Sequence, residues 1–303
     1  MQNKTVSIIM NCYNGQDFLR ESINSVINQT YKKWELIFYD NCSTDRSVQI
    51  VKKYKDKRIK YFKSKKNLNL GLARKNALSK ANGYFVAFLD TDDIWIKNKL
   101  KTQLKFLKKK EIGFCISNSL FFNKFKSKNF YPKKKYFNKK VFYELIENYF
   151  ISFDTVIIKS KYLKKLNHAI DGRFNIIHDM DLLIRLSDIC EMNYAPFSLS
   201  KWRMREESLS YNNFSTIIKE KKMLIKKLNK LKKNDVRFRN SKRKYLDILN
   251  RQEILFFLSQ KKIFKVFRLI KKLKINLKNI ILMILIFFPF KKYIFKNFFN
   301  LKY

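Results

Sequence analysis

Glycine is scarce in this chain, which has five glycines among 303 residues. No two of them are separated by a single residue. The sequence therefore lacks both the G-x-G-x-x-G fingerprint of dinucleotide-binding enzymes and the glycine-rich phosphate loop of P-loop enzymes. This absence argues against a nicotinamide-dependent enzyme.

Histidine and cysteine are also few, with two histidines and four cysteines. The cysteines form no C-x-x-C pair, so we expect no metal site built from thiolate or imidazole ligands. We expect them to be reduced, partly buried thiols.

Acidic residues are outnumbered, because 24 Asp and Glu face 67 Lys and Arg and the net charge is +43. This excess favours an anionic partner, which is nucleic acid, an anionic lipid surface or an anionic substrate. A biased genome composition is an alternative source of so much lysine. The sequence has no RNA- or DNA-binding motif, so we expect no nucleic acid partner and keep nucleic-acid binding as a rival interpretation.

The apolar runs in the sequence are all short. The longest, residues 280–290, ends at Lys291 and is too short to span a membrane, since a crossing helix needs about 20 apolar residues. Residues 1–5 are polar and lead directly into the first predicted strand, so we expect no secretory signal and a cytoplasmic location.

The first 117 residues alternate short apolar runs with helical patterns. Runs rich in β-branched and aromatic residues predict buried strands over residues 6–10, 34–39, 59–62, 84–89 and 113–117. Helical spacing predicts helices over residues 18–27, 47–54 and 72–81. Strands separated by single helices join through right-handed crossovers, so we expect a mainly parallel, Rossmann-like α/β sheet flanked by helices.

The composition changes near residue 210. From Lys219 to Tyr303 there are 26 basic and 4 acidic residues, a pattern typical of basic amphipathic helices. We therefore divide the chain into an α/β domain, 1–210, and a basic helical extension, 211–303. Residues 263–299 are predicted to lie on an anionic membrane surface, or alternatively to pack as an ordinary helical subdomain.

Polar and acidic residues follow the predicted strands. Asp40 follows the second strand, and Asp90, Asp92 and Asp93 follow the fourth. Three carboxylates so close together repel one another unless a cation is present, and oxygen ligands suit Mg²⁺ or Mn²⁺ shared with a diphosphate. Alternatively, Asp92 or Asp93 caps a helix predicted over residues 94–110.

Four motifs in this order resemble glycosyltransferase family 2. They are V-S-I-I-M-N-C-Y-N at residues 6–14, D-N-C-S-T-D at 40–45, N-L-G-L-A-R-K-N at 69–76 and L-D-T-D-D at 89–93. The third is one residue shorter than the family's N-x-G-x-x-x-A-R-N. The resemblance covers roughly residues 5–210 and implies a catalytic domain with the GT-A fold, a nucleoside-diphosphate-sugar donor, usually of UDP, a divalent metal and inversion at the anomeric carbon.

The resemblance also implies roles for single residues on the donor side. It implies that Tyr13 and Asp40 lie at the nucleobase, that Asp90 lies at the ribose or the metal, and that Asp92 binds the metal. Asp40 has an alternative role as a structural Asx-turn residue. Arg74 either faces the diphosphate or pairs with the acidic residues of the loop.

The segment H-D-M-D-L-L-I-R-L at residues 178–186 resembles the family's E-D-x-D-L-x-x-R-L, in which the aspartate matching Asp179 is the general base. The alternative is that Asp179 is a helix N-cap, with Asp181 and Arg185 paired on the helix surface. His178 stands where glutamate is usual. We expect a loop histidine with no special role, and the alternatives are that His178 tunes the base or contacts the acceptor.

The segment W-R-M-R-E-E-S-L-S at residues 202–210 resembles the family's Y-R-x-H-x-x-S-x-S, which implies that Arg203 and Arg205 bind the donor phosphates. Arg205 replaces a histidine and is a poor metal ligand. The alternative is a solvated polar loop.

These matches together imply a metal-dependent inverting transferase that needs one catalytic base, whereas a glycoside hydrolase needs two carboxyl groups. By analogy with membrane-associated enzymes of this family, we expect a glycan or lipid-linked acceptor and a role in surface polysaccharide or glycolipid synthesis. We also expect a peripheral location on the cytoplasmic face of a membrane. A non-catalytic membrane scaffold is the other rival interpretation.

Overall fold

A computed structural model describes residues 4–123, 127–129, 139–205 and 213–270. The chain divides into two compact units, Met1–Phe142 with Tyr149–Ser208, and Tyr143–Asn148 with Leu209–Tyr303. The domain boundary predicted at residue 210 and the apolar run at 280–290 both lie outside the described residues, as does most of the segment 263–299. The domain assignment therefore stays a prediction.

Nine strands in the described residues of the first unit form one sheet. They are β1 Val6–Cys12, β2 Trp34–Asp40, β3 Ile59–Lys63, β4 Phe85–Phe88, β5 Ile94–Trp95, β6 Ile112–Phe122, β7 Ser127–Asn129, β8 Ile157–Lys159 and β9 Glu191–Arg203. Their order is β3, β2, β1, β4, β8, β6, β9, β5, and β7 pairs with β6. The long pairings of β3, β2, β1 and β4 and of β6 with β9 are parallel, and β5, β7 and β8 add short antiparallel pairings. The predicted mainly parallel α/β sheet is confirmed.

Helices connect these strands and continue into the second unit. They are α1 Leu19–Ile27, α2 Ser47–Lys52, α3 Leu70–Leu78, α4 Lys99–Lys105, α5 Phe142–Glu147, α6 Ser160–Lys165, α7 His178–Ile189, α8 Phe214–Leu231, α9 Val236–Ser259 and α10 Ile263–Ile270. The five strands and three helices predicted for residues 6–117 are confirmed, although β6 continues to Phe122. The predicted burial of β3 is wrong, because β3 lies at the edge of the sheet and its residues are partly or fully exposed.

The helix predicted over residues 94–110 is wrong at both ends. Ile94 and Trp95 form β5, which pairs with β9, and helix α4 spans only Lys99–Lys105. The indole N–H of Trp95 donates to the carbonyl oxygen of Asp154 at 3.0 Å. Strand pairing and this buried hydrogen bond keep the chain extended after the acidic turn.

The first unit has its core between the sheet and its flanking helices. Helix α1 shows why the sequence folds in this way, because Leu19, Ile23 and Val26 recur at helical spacing and are all fully buried against the sheet. Ser22 lies on the same buried face. Helix α1 therefore places the hydroxyl of Ser22 next to the turn that follows β4.

The helical extension was predicted over residues 211–303, and the part of it that the structure describes, residues 213–270, is helical. Asp235 caps α9 by accepting the N–H of Phe238 at 2.8 Å, and a 2.6 Å ion pair joins Lys222 of α8 to Glu253 of α9. An apolar cluster joins α9 to α10 and consists of Ile254, Leu255, Leu258, Val266 and Leu269. Within the described ranges, none of the helices has both the length and the apolar character that a membrane crossing requires.

Candidate active site

The loops that follow β1 and β2 are joined by hydrogen bonds at the carboxyl edge of the sheet. Asn14 has a left-handed backbone with φ 52°, and its side-chain oxygen accepts the N–H of Thr44 at 2.9 Å. The N–H of Asn14 donates to the hydroxyl of Ser43 at 3.1 Å. Tyr13 projects from this loop and is 53% exposed, so its ring is accessible to a nucleobase.

Asp40 lies at the same edge but is fully buried. Its carboxylate accepts the N–H of Ser43 at 2.9 Å and the hydroxyl of Tyr61 at 3.2 Å. Burial, together with the charge of Asp40, raises the pKa of Tyr61 to about 12. These are the contacts of the structural turn residue that the sequence left open, and Asp40 reaches a nucleobase only if its side chain becomes accessible.

The acidic turn after β4 is held in place by helix α1. The hydroxyl of Ser22 donates to the carbonyl oxygens of Asp90 at 2.8 Å and Asp93 at 2.7 Å. The Asp93 side chain is buried and accepts the N–H of Arg203 at 3.0 Å. Burial, and then the charges of neighbouring carboxylates, raise the pKa of Asp93 well above its usual value. Asp93 is therefore a structural residue of the turn.

Asp90 and Asp92 are each paired with an arginine. Arg74 donates to Asp90, and the Nη2 of Arg205 lies 2.6 Å from the Oδ2 of Asp92. Burial and the charge of Asp90 raise the pKa of Asp92. Of the two interpretations of Arg74, the structure shows the pairing with the acidic loop.

Arg203 supports the acidic turn from the side. Its Nε donates to the carbonyl oxygen of Asp92 at 2.9 Å, and its Nη2 donates to Glu21 at 2.8 Å. Its guanidinium lies 4.3 Å from the ring centroid of Phe18 and 4.6 Å from that of Phe122. These contacts fix the position of the turn, whereas Arg205, at the end of the described segment, is the more exposed of the two arginines.

The candidate base lies in the first turn of α7. The N-cap of this helix is Ile177, so Asp179 is inside the helix and not at its cap. The hydroxyl of Tyr149 donates to the Oδ2 of Asp179 at 3.0 Å. Burial raises the pKa of Asp179, while hydrogen bonds and the charge of Arg74 oppose this rise.

The predicted pair of Asp181 and Arg185 is formed, with 2.6 Å between the Oδ2 of Asp181 and the Nη2 of Arg185. Its predicted place on the helix surface is wrong, because both side chains are buried. The same Nη2 donates to the carbonyl oxygen of Ala169 at 2.8 Å. The pair anchors α7 to the preceding loop.

His178 is the first residue of α7 and is fully buried. Its Nε2 contacts the Nη1 of Arg74, and its Nδ1 lies 3.2 Å from the carbonyl oxygen of Asn175. A guanidinium only donates and a carbonyl only accepts, so the imidazole is neutral and has its hydrogen on Nδ1. Burial and the charge of Arg74 lower the pKa of His178 well below its usual value.

We expect His178 to make the protein less stable in mild acid. Below about pH 6.5 the unfolded chain binds a proton at this histidine and the folded chain does not. The free energy of unfolding should therefore decrease as the pH is lowered, by up to about 1.4 kcal/mol per pH unit. Denaturant unfolding between pH 7.5 and 5.5 should show a shallower fall for His178→Gln. The exposed His168 provides the control variant His168→Asn, and a fall in His178→Gln as steep as in wild type would contradict the prediction.

The acidic turn offers two carboxylates for a metal ion. Among the described residues, no group of three or more histidine, cysteine, aspartate or glutamate side chains is arranged to hold one. Mg²⁺ and Mn²⁺ commonly use one or two carboxylates and take their other ligands from water and substrate phosphates. Asp90 and Asp92 fit this use, since burial and then the charge of Asp90 raise the pKa of Asp92, and a bound cation would favour the ionised carboxylate.

The sequence did not identify two aromatic residues of the site. Tyr149 donates to the candidate base, and the ring of Phe153 lies 5.2 Å from the guanidinium of Arg74. Both precede β8, which runs antiparallel to β4. They therefore lie at the edge of the sheet where β4 ends. Neither belongs to a motif, so the sequence offers no signal for them.

Residues 7–166 match the model of glycosyl transferase family 2. The chain belongs to glycosyltransferase family 2. This glycosyltransferase is 34% identical, over 227 residues, to the UDP-Glc:alpha-D-GlcNAc-diphosphoundecaprenol beta-1,3-glucosyltransferase WfgD of Escherichia coli, with 72% of this chain and 84% of the relative covered. It is also 40% identical, over 114 residues, to the putative teichuronic acid biosynthesis glycosyltransferase TuaG of Bacillus subtilis, with 37% of this chain and 45% of the relative covered.

Solved structures show the same fold. The glycosyltransferase matches the crystal structure of S. aureus TarS in complex with UDP-GlcNAc with a TM-score of 0.65 and 21% identity. The match covers 81% of this chain and 72% of that chain. The GT-A architecture expected from the sequence motifs is confirmed.

Proposed function

We propose that this glycosyltransferase moves a sugar, with inversion, from a UDP-sugar to a hydroxyl of a glycan or lipid-linked acceptor. The observation that supports this most directly is the pair of contacts made by Arg74, which touches Asp90 of the acidic turn and His178 beside Asp179. One guanidinium thus contacts a carboxylate of the acidic turn and the residue that precedes the candidate base. The names of WfgD and TuaG point to lipid-linked acceptors and surface polysaccharide, and TarS was crystallised with UDP-GlcNAc.

Each side chain of the site has a distinct task in this proposal. Tyr13 receives the nucleobase on its exposed ring, and Arg205 binds the donor phosphates. Asp179 takes the proton from the acceptor hydroxyl as that oxygen attacks the anomeric carbon. Asp90 and Asp92 would hold Mn²⁺ or Mg²⁺, which when bound neutralises charge on the departing diphosphate.

A donor screen tests the proposed function. The purified chain would be incubated with UDP-, GDP- and CDP-sugars and Mn²⁺, and the release of nucleoside diphosphate would be followed. We expect release from at least one UDP-sugar and its loss on chelation of the metal. Release from no donor, or release that is indifferent to chelation, would contradict the proposal.

We also propose that the catalytic unit, residues 1–210, works at the cytoplasmic face of a membrane through the basic helical extension. In α10, Phe264 is 93% exposed, and Val266 and Leu269 on another side of the helix are buried in the apolar cluster. Lys265 and Arg268 lie in the same helix. Exposed aromatic residues among basic ones suit the interface of a bilayer with anionic headgroups.

Vesicle sedimentation tests the membrane proposal. We expect the full chain to sediment with vesicles that contain phosphatidylglycerol, and Phe264→Ser to weaken this binding by about tenfold to a hundredfold, because burying one phenylalanine stabilises by about 1.5–3 kcal/mol. Leu231→Ser is the control, since Leu231 is also exposed, in α8 of the same unit. Equal binding by wild type and Phe264→Ser would rule out α10 as the contact.

A further inference from the structure

Helix α3 is seated directly on the loop that precedes the base helix. The N–H of Leu70 donates to the Oδ1 of Asn175 at 2.8 Å. A Cβ added at Gly71 would collide with the carbonyl oxygen of Phe174. The first turn of α3 and the loop before α7 are therefore in backbone contact, which only glycine permits at this position.

Arg74 lies one turn further along α3 and bridges two parts of the site. Its guanidinium is buried, lies over the ring of Phe153 and donates to both Asp90 and His178. His178 in turn donates to the carbonyl oxygen of Asn175. A continuous chain of contacts therefore runs from the acidic turn to the residue next to Asp179.

The chemistry of His178 suits this bridge. The family pattern has a glutamate at this place, and a glutamate would add a negative charge next to Arg74. The neutral imidazole accepts a hydrogen bond from Arg74 and adds no charge. The full positive charge of Arg74 therefore remains directed at Asp90.

We propose that His178 is a positioning residue: it holds Arg74 between the acidic turn and α7 and thereby fixes the separation between Asp90 and Asp179. This inference rests on the proposed function, because that separation matters only if Asp90 lies at the donor and Asp179 is the base. An incorrect separation of reacting groups lowers the rate of the chemical step more than it lowers the affinity for substrate.

Nuclear magnetic resonance tests the arrangement without any activity. The chain has two histidines, so ¹⁵N-labelling of histidine gives a simple spectrum that His168→Asn assigns. We expect His178 to be a neutral tautomer with its proton on Nδ1, and its Nε2 resonance to move in Arg74→Gln. A dominant Nε2–H tautomer, or an Nε2 resonance unchanged in Arg74→Gln, would overturn the proposal.

A double-mutant cycle tests the positioning role. We expect His178→Leu to lower kcat by about tenfold to a hundredfold, the range expected for a lost hydrogen bond to a charged group, with a smaller change in the donor KM. His178→Gln, which retains an acceptor, should recover most of kcat. On an Arg74→Gln background, His178→Leu should cost little more, because both substitutions break the same contact.

The outcomes separate this inference from the proposed function. Additive losses in the cycle, or a His178→Gln variant as slow as His178→Leu at equal thermal stability, would overturn the positioning role. A wild-type chain that turns over no donor would contradict the proposed function and, with it, the positioning role. The NMR result would then still show whether the bridge itself exists.

Discussion

Replacing Asp179 with asparagine is expected to lower kcat by about a hundredfold to ten-thousandfold, the range typical of a lost general base. The amide keeps the shape of the side chain and its hydrogen bond with Tyr149 but cannot take a proton. The donor KM should change little, because the base acts on the acceptor hydroxyl. Steady-state transfer with the donor found in the screen measures both constants.

The control for this variant is Asp188→Asn, which makes the same change of charge in the same helix. Burial raises the pKa of Asp179, so kcat/KM of the wild type should fall as the pH drops through that raised value and the carboxylate is protonated. An Asp179→Asn variant with near wild-type kcat, or a kcat lost equally in Asp188→Asn, would show that another group accepts the proton.

Replacing Asp92 with asparagine is expected to lower kcat/KM by at least about a hundredfold and to remove the stimulation by Mn²⁺, because a bound metal is worth several kcal/mol to a departing diphosphate. The variant should also bind free Mn²⁺ more weakly. Electron paramagnetic resonance of Mn²⁺ measures that binding without any turnover.

The first unit contains a closely matched control for Asp92. Asp56 pairs with Arg58 at 2.6 Å, the same distance as in the pair of Asp92 and Arg205. The side chains are 22% and 34% exposed in the first pair and 21% and 36% in the second. Asp56 precedes β3 and so lies at the opposite edge of the parallel sheet. Asp56→Asn should leave Mn²⁺ binding unchanged, and equal losses in the two variants would contradict a metal role for Asp92.

The parallel sheet could be predicted from sequence because its strands β1, β2 and β4 are buried on both faces and consist mostly of apolar residues. Ile94 and Trp95 were misassigned to a helix because a two-residue strand is too short to show a period. Its strand character comes from pairing with β9, about a hundred residues away in the chain. No local pattern contains that information.

The sequence motifs identify which residues form the site, but they do not show how the side chains of those residues are arranged. The sequence shows three carboxylates in one turn, yet it does not show that Asp93 faces inward while Asp90 and Asp92 pair with arginines. The burial of Asp40 and of His178 likewise depends on tertiary packing. The direction in which a polar side chain points is set by partners distant in sequence.

The joined loops after β1 and β2 have a consequence for how a nucleotide is selected. Asn14 is not the only residue that joins these loops. The backbone N–H of Gln16 donates to the Oδ2 of Asp45 at 2.9 Å, and the side-chain oxygen of Gln16 accepts the N–H of Arg46 at 3.0 Å. The conformational entropy of these loops is therefore lost when the protein folds and not when a ligand arrives. If Tyr13 receives the nucleobase, as proposed above, that base meets loops that are already ordered, and we expect bases to be distinguished by fit and not by rearrangement of the loops.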